Sequence, residues 1–253
     1  MKRLIAANWK MNLSPSEASL FVAQLAKHVP VVDDAEVVLC VPSIDLYSLH
    51  HDKTSHKFTL GAQNLHAADD GPYTGEISGQ MLKGLASYVI VGHSERRALG
   101  ETDKDIAAKL AAAVRNGLKP ILCVGEQLAD RQAGLSRKVV VDQLEADLAD
   151  LAADDLAGLA IAYEPVWAIN HHDGHKVHHA IPADFKTILP AIRNVLEDRY
   201  GARAAKVRLL YGGSVDADHV RAYLEAPLVN GLLVGTASLN PADFAKIVAA
   251  TSL

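Results

Sequence analysis

Short apolar and β-branched runs alternate along the chain with longer stretches whose apolar positions recur at three- and four-residue spacing, and the alternation repeats about eight times. That rhythm predicts parallel strands joined through helices, because a parallel pair needs a long return connection. The runs place strands at 3–7, 36–41, 58–63, 88–91, 119–124, 158–162, 206–211 and 231–234. Ser14-Pro15-Ser16-Glu17 combines an N-cap, a proline at the first helical position and a glutamate three residues on, which starts a helix running to about Lys27. Leu144, Leu148 and Leu151, and again Ile188, Ile192 and Leu196, follow helical spacing and read as core stripes, while Gly117 and Gly201 stand where a left-handed helix terminus is wanted. No composition break or low-complexity tract divides the chain. Residues 1–253 therefore read as one α/β domain, an eight-stranded parallel (β/α)8 barrel rather than an open sheet, since closure leaves no edge strands.

The polarity of such a barrel points every strand end into one mouth, so the polar residues that follow the strands are candidates for chemistry. The apolar run Leu159 to Ala162 delivers Glu164 into a loop stiffened by Pro165. The first strand leads into Asn8-Trp9-Lys10, the fourth into Gly92-His93-Ser94-Glu95, the seventh into Gly212-Gly213-Ser214 and the eighth into Gly235-Thr236. Taken singly, Glu164 or Lys10 reads as a surface charge, His93 as a structural hydrogen bonder and the glycine pair as a tight turn. Together they supply a base, an imidazole, a cation and a nest of backbone N–H groups for an anion. That set suits proton abstraction next to a carbonyl on a phosphorylated substrate.

Composition narrows the field from the other side. The chain of 253 residues is 49% hydrophobic, with a formal net charge of −5 and a pI near 6.2, so it lacks the basic footprint of a nucleic-acid binder. No Lys/Arg run suggests a membrane surface, and no apolar stretch reaches the length needed to span one. The apolar part of Met1 to Asn8 is too short for a signal peptide, which points to the cytoplasm. Cys40 and Cys123 each lie in an apolar run and read as buried free thiols.

Seven stretches in one order carry a resemblance that covers essentially the whole chain: Ala7 to Asn12, Gly61 to Asn64, Thr74 to Ser78, Gly92 to Arg97, Cys123 to Glu126, Ala162 to Ile169 and Tyr211 to Val215. The sequence resembles the triosephosphate isomerase family. The resemblance implies a TIM barrel that interconverts dihydroxyacetone phosphate and glyceraldehyde 3-phosphate through an enediolate, without metal or organic cofactor. In that family pattern Glu164 is the base and His93 a neutral imidazole whose pKa the following helix start lowers. Lys10 and Asn8 stabilise the developing charge, and Glu95 orients Lys10. Phosphate rests on N–H groups of Ser214, Gly235 and Thr236, with one more from Asn170 in the lid. The resemblance also implies a homodimer through the loop Asn64 to Ser78, with Thr74 near the neighbouring subunit's site.

The chain departs from the family in three places. The lid, Asn170 to Ala180, is several residues longer than the usual Gly-Thr-Gly-Lys segment, and Asn170 stands for its N–H-donating glycine. Thr236 replaces the second glycine of the phosphate pair. Asn230 replaces an aspartate that pairs with an arginine, which would be Arg193 here. Five of the 12 histidines lie between His171 and His179 and, with Asp173, invite a metal-site reading, but no tetrahedral spacing appears and a solvated lid tip is favoured. Two rival functions are isomerisation of a four-carbon ketose phosphate and an inactive barrel kept as a binding module. The joint presence of Lys10, His93 and Glu164 argues against the second, because binding alone needs no base beside a carbonyl.

Overall fold

Eight strands hydrogen-bond in sequence order into a closed parallel barrel: β1 (Arg3–Asn8), β2 (Ala35–Val41), β3 (Thr59–Ala62), β4 (Tyr88–Val91), β5 (Lys119–Val124), β6 (Ala160–Tyr163), β7 (Arg208–Tyr211) and β8 (Gly231–Val234). This computed structural model describes residues 1–252 except Val31, Lys53, Ser55, His56 and residues 170–179. The ring closes where β8 pairs with β1, with Leu4 opposite Gly231 and Ala7 opposite Val234. A side chain at Gly231 would place its Cβ 2.0 Å from the Leu4 carbonyl oxygen, so this seam requires glycine.

The near-continuous apolar strands follow from burial on both faces. Leu4, Ala6, Val38, Cys40, Tyr88, Ile90, Ile121, Cys123, Ala160, Ala162, Leu210 and Leu233 fill the barrel interior. Their neighbours, such as Ile5, Ala7, Leu39, Val41, Leu122 and Ile161, belong to a second cluster with the helices. Outside lie α1 (Pro15–His28), α2 (Ser43–His51), α3 (Gly79–Leu82), α4 (Ser94–Ala98), α5 (Asp103–Arg115), α6 (Leu128–Gln132), α7 (Ser136–Asp147), α8 (Ile188–Tyr200), α9 (Val220–Leu224) and α10 (Pro241–Ala249). The Glu17 carboxylate accepts the Ser14 N–H at 2.8 Å, as the capping pattern predicts. Gly117 and Gly201 take positive φ after α5 and α8. Both cysteines are buried free thiols.

Several boundaries differ from the sequence expectation. Strand β6 begins at Ala160 and β7 at Arg208, because Gly158 holds φ +84 and residues 201–206 wind into a 3-10 turn. Phe58 and Gln63 flank β3 rather than extend it. Helix α7 stops at Asp147, so Leu148 and Leu151 reach the core from the following turn. Arg193 donates to the Ala204 and Val207 carbonyls, while the Asn230 side chain accepts the Leu209 N–H, so no Arg193–Asn230 contact takes the place of an ion pair.

At the end of the barrel where strands begin, Glu36, Tyr88 and Arg208 form a polar plug. Tyr88 donates its hydroxyl to Glu36 at 2.8 Å, and Arg208 reaches Glu36 at 2.9 Å and the Tyr88 oxygen at 2.7 Å. Burial pushes the Glu36 carboxyl up, but the hydrogen bonds and charge of Arg208, with Tyr88 and Lys119, outweigh it and hold it below the ordinary 4.5. A depressed folded pKa stabilises the fold above the unfolded pKa, and the contribution disappears as pH falls through the folded value. Glu36→Gln is therefore expected to cost about 1–3 kcal/mol at pH 7 and progressively less below pH 4.5, read from urea denaturation across pH.

Candidate active site

Glu164 stands one residue beyond β6, where its N–H still donates to the Val124 carbonyl at 2.8 Å and the neighbouring Tyr163 carbonyl accepts the Gly212 N–H at 2.8 Å. The strand ladder thus carries the backbone to the rim and fixes the direction of the side chain. Gly125 lies directly against it: a Cβ there would fall 1.8 Å from the Glu164 carbonyl oxygen. The carboxylate is 2% exposed and takes two donors from the end of β4, the Ser94 N–H at 3.0 Å and His93 Nε2 at 3.1 Å. Burial is the largest influence and pushes the carboxyl up, but His93, Ser94 and the Lys10 ammonium together hold it below 4.5. The Cys123 thiol, also in contact with Glu164, is pushed well above its ordinary value by burial and by that carboxylate, so it stays a neutral thiol.

His93 forms the N-cap of the short helix α4, and its Nδ1 accepts the Glu95 N–H at 3.2 Å. With Nδ1 an acceptor, the proton of the neutral ring sits on Nε2, which faces Glu164. The sequence led us to expect a lowered pKa here. Burial does lower it, but the Glu164 carboxylate against Nε2 more than compensates, and in this arrangement His93 is raised above 6.5. The largest raising cause is positional, since it goes when Glu164 turns away and leaves only Glu95 to raise the imidazole.

Lys10 adopts φ +54, a backbone position uncommon for a side chain with a Cβ and a small store of strain. Three contacts over-determine it. Its N–H donates to Asn8 Oδ1 at 3.0 Å, its carbonyl accepts from Gln63 Nε2 at 2.9 Å, and its ammonium meets Glu95 at 2.7 Å. Asn8, Lys10, His93 and Glu164 share a cleft of about 480 Å³ with Gly212, Gly213, Ser214, Gly235 and Thr236. The fold therefore brings the five expected catalytic residues and three of the four expected phosphate ligands together. Asn170, the fourth, and the histidines at 171–179 lie outside the described residues. Among the described residues, no group of three or more His, Cys, Asp or Glu is arranged to hold a metal.

One of the expected phosphate donors is engaged in this structure. The Ser214 N–H is not free for an anion, because it donates to the Ala168 carbonyl at 3.0 Å. It becomes available only when the Val166–Ala168 turn moves. That turn is anchored by Glu126, which accepts from Trp167 Nε1 at 2.9 Å and from the Tyr163 hydroxyl at 3.0 Å. Arg131 lies 4.0 Å over the Trp167 ring and pairs with Asp184 at 2.6 Å, linking the two flanks of the lid segment. Sequence reasoning assigned no role to Gln63, Glu126 or the Ser94 N–H. The first two fall in family-like motifs, Gly61 to Asn64 and Cys123 to Glu126, which were the only signal for them.

A closed parallel barrel with a buried carboxylate, an imidazole and an ammonium gathered at the C-terminal rim defines an enzyme of the (β/α)8 class equipped for proton transfer beside a carbonyl. Comparison sharpens this. A family model described as triosephosphate isomerase matches residues 3–251. The triosephosphate isomerase of Herpetosiphon aurantiacus is 47% identical over 250 residues, 97% of each chain, and that of Symbiobacterium thermophilum 42% identical over 98% of this chain and 96% of the relative. A crystal structure of triosephosphate isomerase from Bartonella henselae superposes with a TM-score of 0.86 at 39% identity, covering 99% of both chains. The chain belongs to the triosephosphate isomerase family.

The electrostatics of the pair can be tested directly. In Glu164→Gln, burial and the Lys10 ammonium act on His93 against Glu95 alone, so its pKa is expected to fall from its raised position. An NMR titration of the imidazole that finds no downward shift would contradict this reading of the pair.

Proposed function

We propose that Glu164 is the base that carries the proton in the family's isomerisation, between dihydroxyacetone phosphate and D-glyceraldehyde 3-phosphate, in glycolysis and gluconeogenesis. The contact between Glu164 and His93 Nε2 at 3.1 Å, in the cleft that holds Lys10, carries this reading. A substrate carbonyl takes over the Nε2–H donor, and the released carboxylate turns to the adjacent carbon. Glu164 removes a proton from C1 of dihydroxyacetone phosphate while negative charge gathers on O2. The Nε2–H of His93 and the Lys10 ammonium stabilise that charge, and they do so strongly only in a site closed to water. Glu164 then returns the proton to C2 as the hydroxyl proton passes from O1 to O2. No atom or electron is gained or lost, and His93 and Lys10 take the electrophilic role at the carbonyl, so this reading assigns neither metal nor organic cofactor.

Asn8 and Glu95 act by holding Lys10. Gly235 and Thr236 receive the phosphate with Ser214, once Ala168 has released its N–H, and with Asn170 from the lid. We read residues 1–253 as one domain, because all eight strands close a single ring. We place the protein in the cytoplasm; among the described residues no helix is long and apolar enough to cross a membrane.

The partner we assign is a second copy of this chain, docked through the Asn64–Ser78 loop with Thr74 near the neighbouring site. Residues 70–76 are exposed, and Arg115 braces the base of the loop by donating to the Ala67 carbonyl at 2.9 Å and pairing with Asp69 at 3.0 Å. Met11, Ile44, Tyr47, Tyr73 and Met81, all in segments that follow β1 to β3, present exposed apolar side chains that a monomer gains nothing by exposing.

Steady-state assays are expected to show kcat lowered about 10²–10⁴-fold in Glu164→Gln with little change in KM. Wild type is expected to release little inorganic phosphate, and slow turnover with copious phosphate would place the lid, rather than Glu164, at fault. Sedimentation velocity is expected to find a dimer that Thr74→Arg converts to monomer. A monomeric wild type would overturn the interface.

A further inference from the structure

Arg97 belongs to no group that the isomerisation uses directly, yet it touches four elements of the barrel rim. Its Nε donates to the Gly92 carbonyl at 3.0 Å, and one terminal nitrogen donates to the Cys123 carbonyl at 3.1 Å and to Asp147 at 2.6 Å. The other terminal nitrogen meets Asp103, the first residue of α5, at 2.5 Å. Gly92 immediately precedes His93, and Cys123 precedes Val124, whose carbonyl accepts the Glu164 N–H. One planar guanidinium therefore spans the strand end that supplies the two donors to the carboxylate and the strand end that registers its backbone. We propose that Arg97 is a positioning residue for the isomerisation, fixing the ends of β4 and β5 against each other so that Glu164 and His93 meet the substrate in register.

The surroundings support this assignment. Gly92 takes φ +71, and a Cβ there would approach Arg97 to 3.3 Å and Ile106 to 3.1 Å, so the chain has no side chain where the guanidinium passes. Asp147, its side chain fully buried, projects from α7 onto Arg97. One turn earlier on the same helix, Gln143 clamps Gly125 by accepting its N–H at 2.9 Å and donating to its carbonyl at 3.2 Å. Between this brace and the carboxylate lies a cavity of about 160 Å³ lined by Ser94, Arg97, Cys123, Gly125, Gln143 and Glu164. Glu164 lines both that cavity and the main cleft, and the proposed mechanism has its carboxylate turn from His93 toward the substrate. A carboxylate that moves needs fixed end points, and a displacement of about 1 Å costs on the order of 10²-fold in rate. Lysine cannot substitute, because one ammonium does not reproduce the planar fork over several acceptors.

The proposal rests on Glu164 as the base, so Glu164→Gln is assayed alongside. Arg97→Lys and Arg97→Ala are expected to lower kcat about 10–100-fold with KM changed less than about threefold, at a temperature well below their melting points. Guanidinium chloride at sub-denaturing concentration is expected to restore part of the Arg97→Ala turnover, whereas sodium chloride of equal ionic strength does not. Gln143→Ala, with the guanidinium intact, is expected to show a smaller loss, again in kcat. Unchanged kcat in a variant with a lowered melting temperature would make Arg97 a purely structural ion-pair partner and overturn the proposal. So would a loss that guanidinium fails to restore and that raises KM in parallel. Should Arg97→Ala not fold, wild-type kcat in both Arg97→Lys and Gln143→Ala overturns it equally. An active Glu164→Gln would instead refute the assignment of the base.

Discussion

A carboxylate almost completely withdrawn from water has to be held by its neighbours, and the architecture of this barrel depends on how Glu164 is held. Removing an ionised carboxylate from water is costly unless donors replace the lost hydration. Here the donors come from the end of β4, while β5 and β7 hold the backbone on either side of the residue. Three strand ends must therefore stand at matched heights, which only a closed ring with fixed register provides. The small residues around the carboxylate follow from the same demand. A Cβ at Gly125 would collide with the Glu164 carbonyl, and one at Gly212 would press to 3.0 Å on its side chain.

The anchorage is firm but exchangeable, and that couples structure to chemistry. His93 and Glu164 form one titrating pair, in which the imidazole raises its proton affinity because the carboxylate is near and the carboxylate lowers its own because the imidazole is near. In the mechanism proposed, a substrate carbonyl that displaces Glu164 from Nε2 changes both at once, leaving a less basic imidazole beside the carbonyl and a freed carboxylate. The same logic extends to the Val166–Ala168 turn, whose Ala168 carbonyl occupies the Ser214 N–H. On the proposed role of Ser214, phosphate and the Ala168 carbonyl compete for one donor, so phosphate binding and movement of the lid flank are linked through it.

Function and stability occupy opposite ends of the barrel. The rim where strands finish carries a strained Lys10, a buried carboxylate and exchangeable hydrogen bonds. At the other end the Glu36–Tyr88–Arg208 plug is fully engaged and touches none of these groups. Between them the interior is packed with apolar side chains, small ones such as Ala6, Ala160 and Ala162 among larger ones such as Leu4 and Ile90, which isolates the rim's electrostatics from the plug.

The order of strands and helices, the closed barrel and the placing of Lys10, His93 and Glu164 at one rim were legible in the sequence by itself. Apolar runs buried on both faces, caps such as Ser14 to Glu17 and polar residues placed just after strands are all local signals, and a family-like order of motifs multiplied their weight. The starts of β6 and β7 were not legible, because the runs near Gly158 and Val207 continue the strand pattern into turns that only the ladder partners exclude. Leu148 and Leu151 kept their core role while leaving the helix, since burial constrains where a side chain goes more than which element carries it. The direction of the His93 shift, the occupied Ser214 N–H and the reach of Arg97 to the Gly92 and Cys123 carbonyls belonged to the tertiary structure alone. Each depends on distances between groups far apart in the chain, and where backbone N–H and C=O groups are the partners every residue type offers much the same ones, so no residue name announces which will be used.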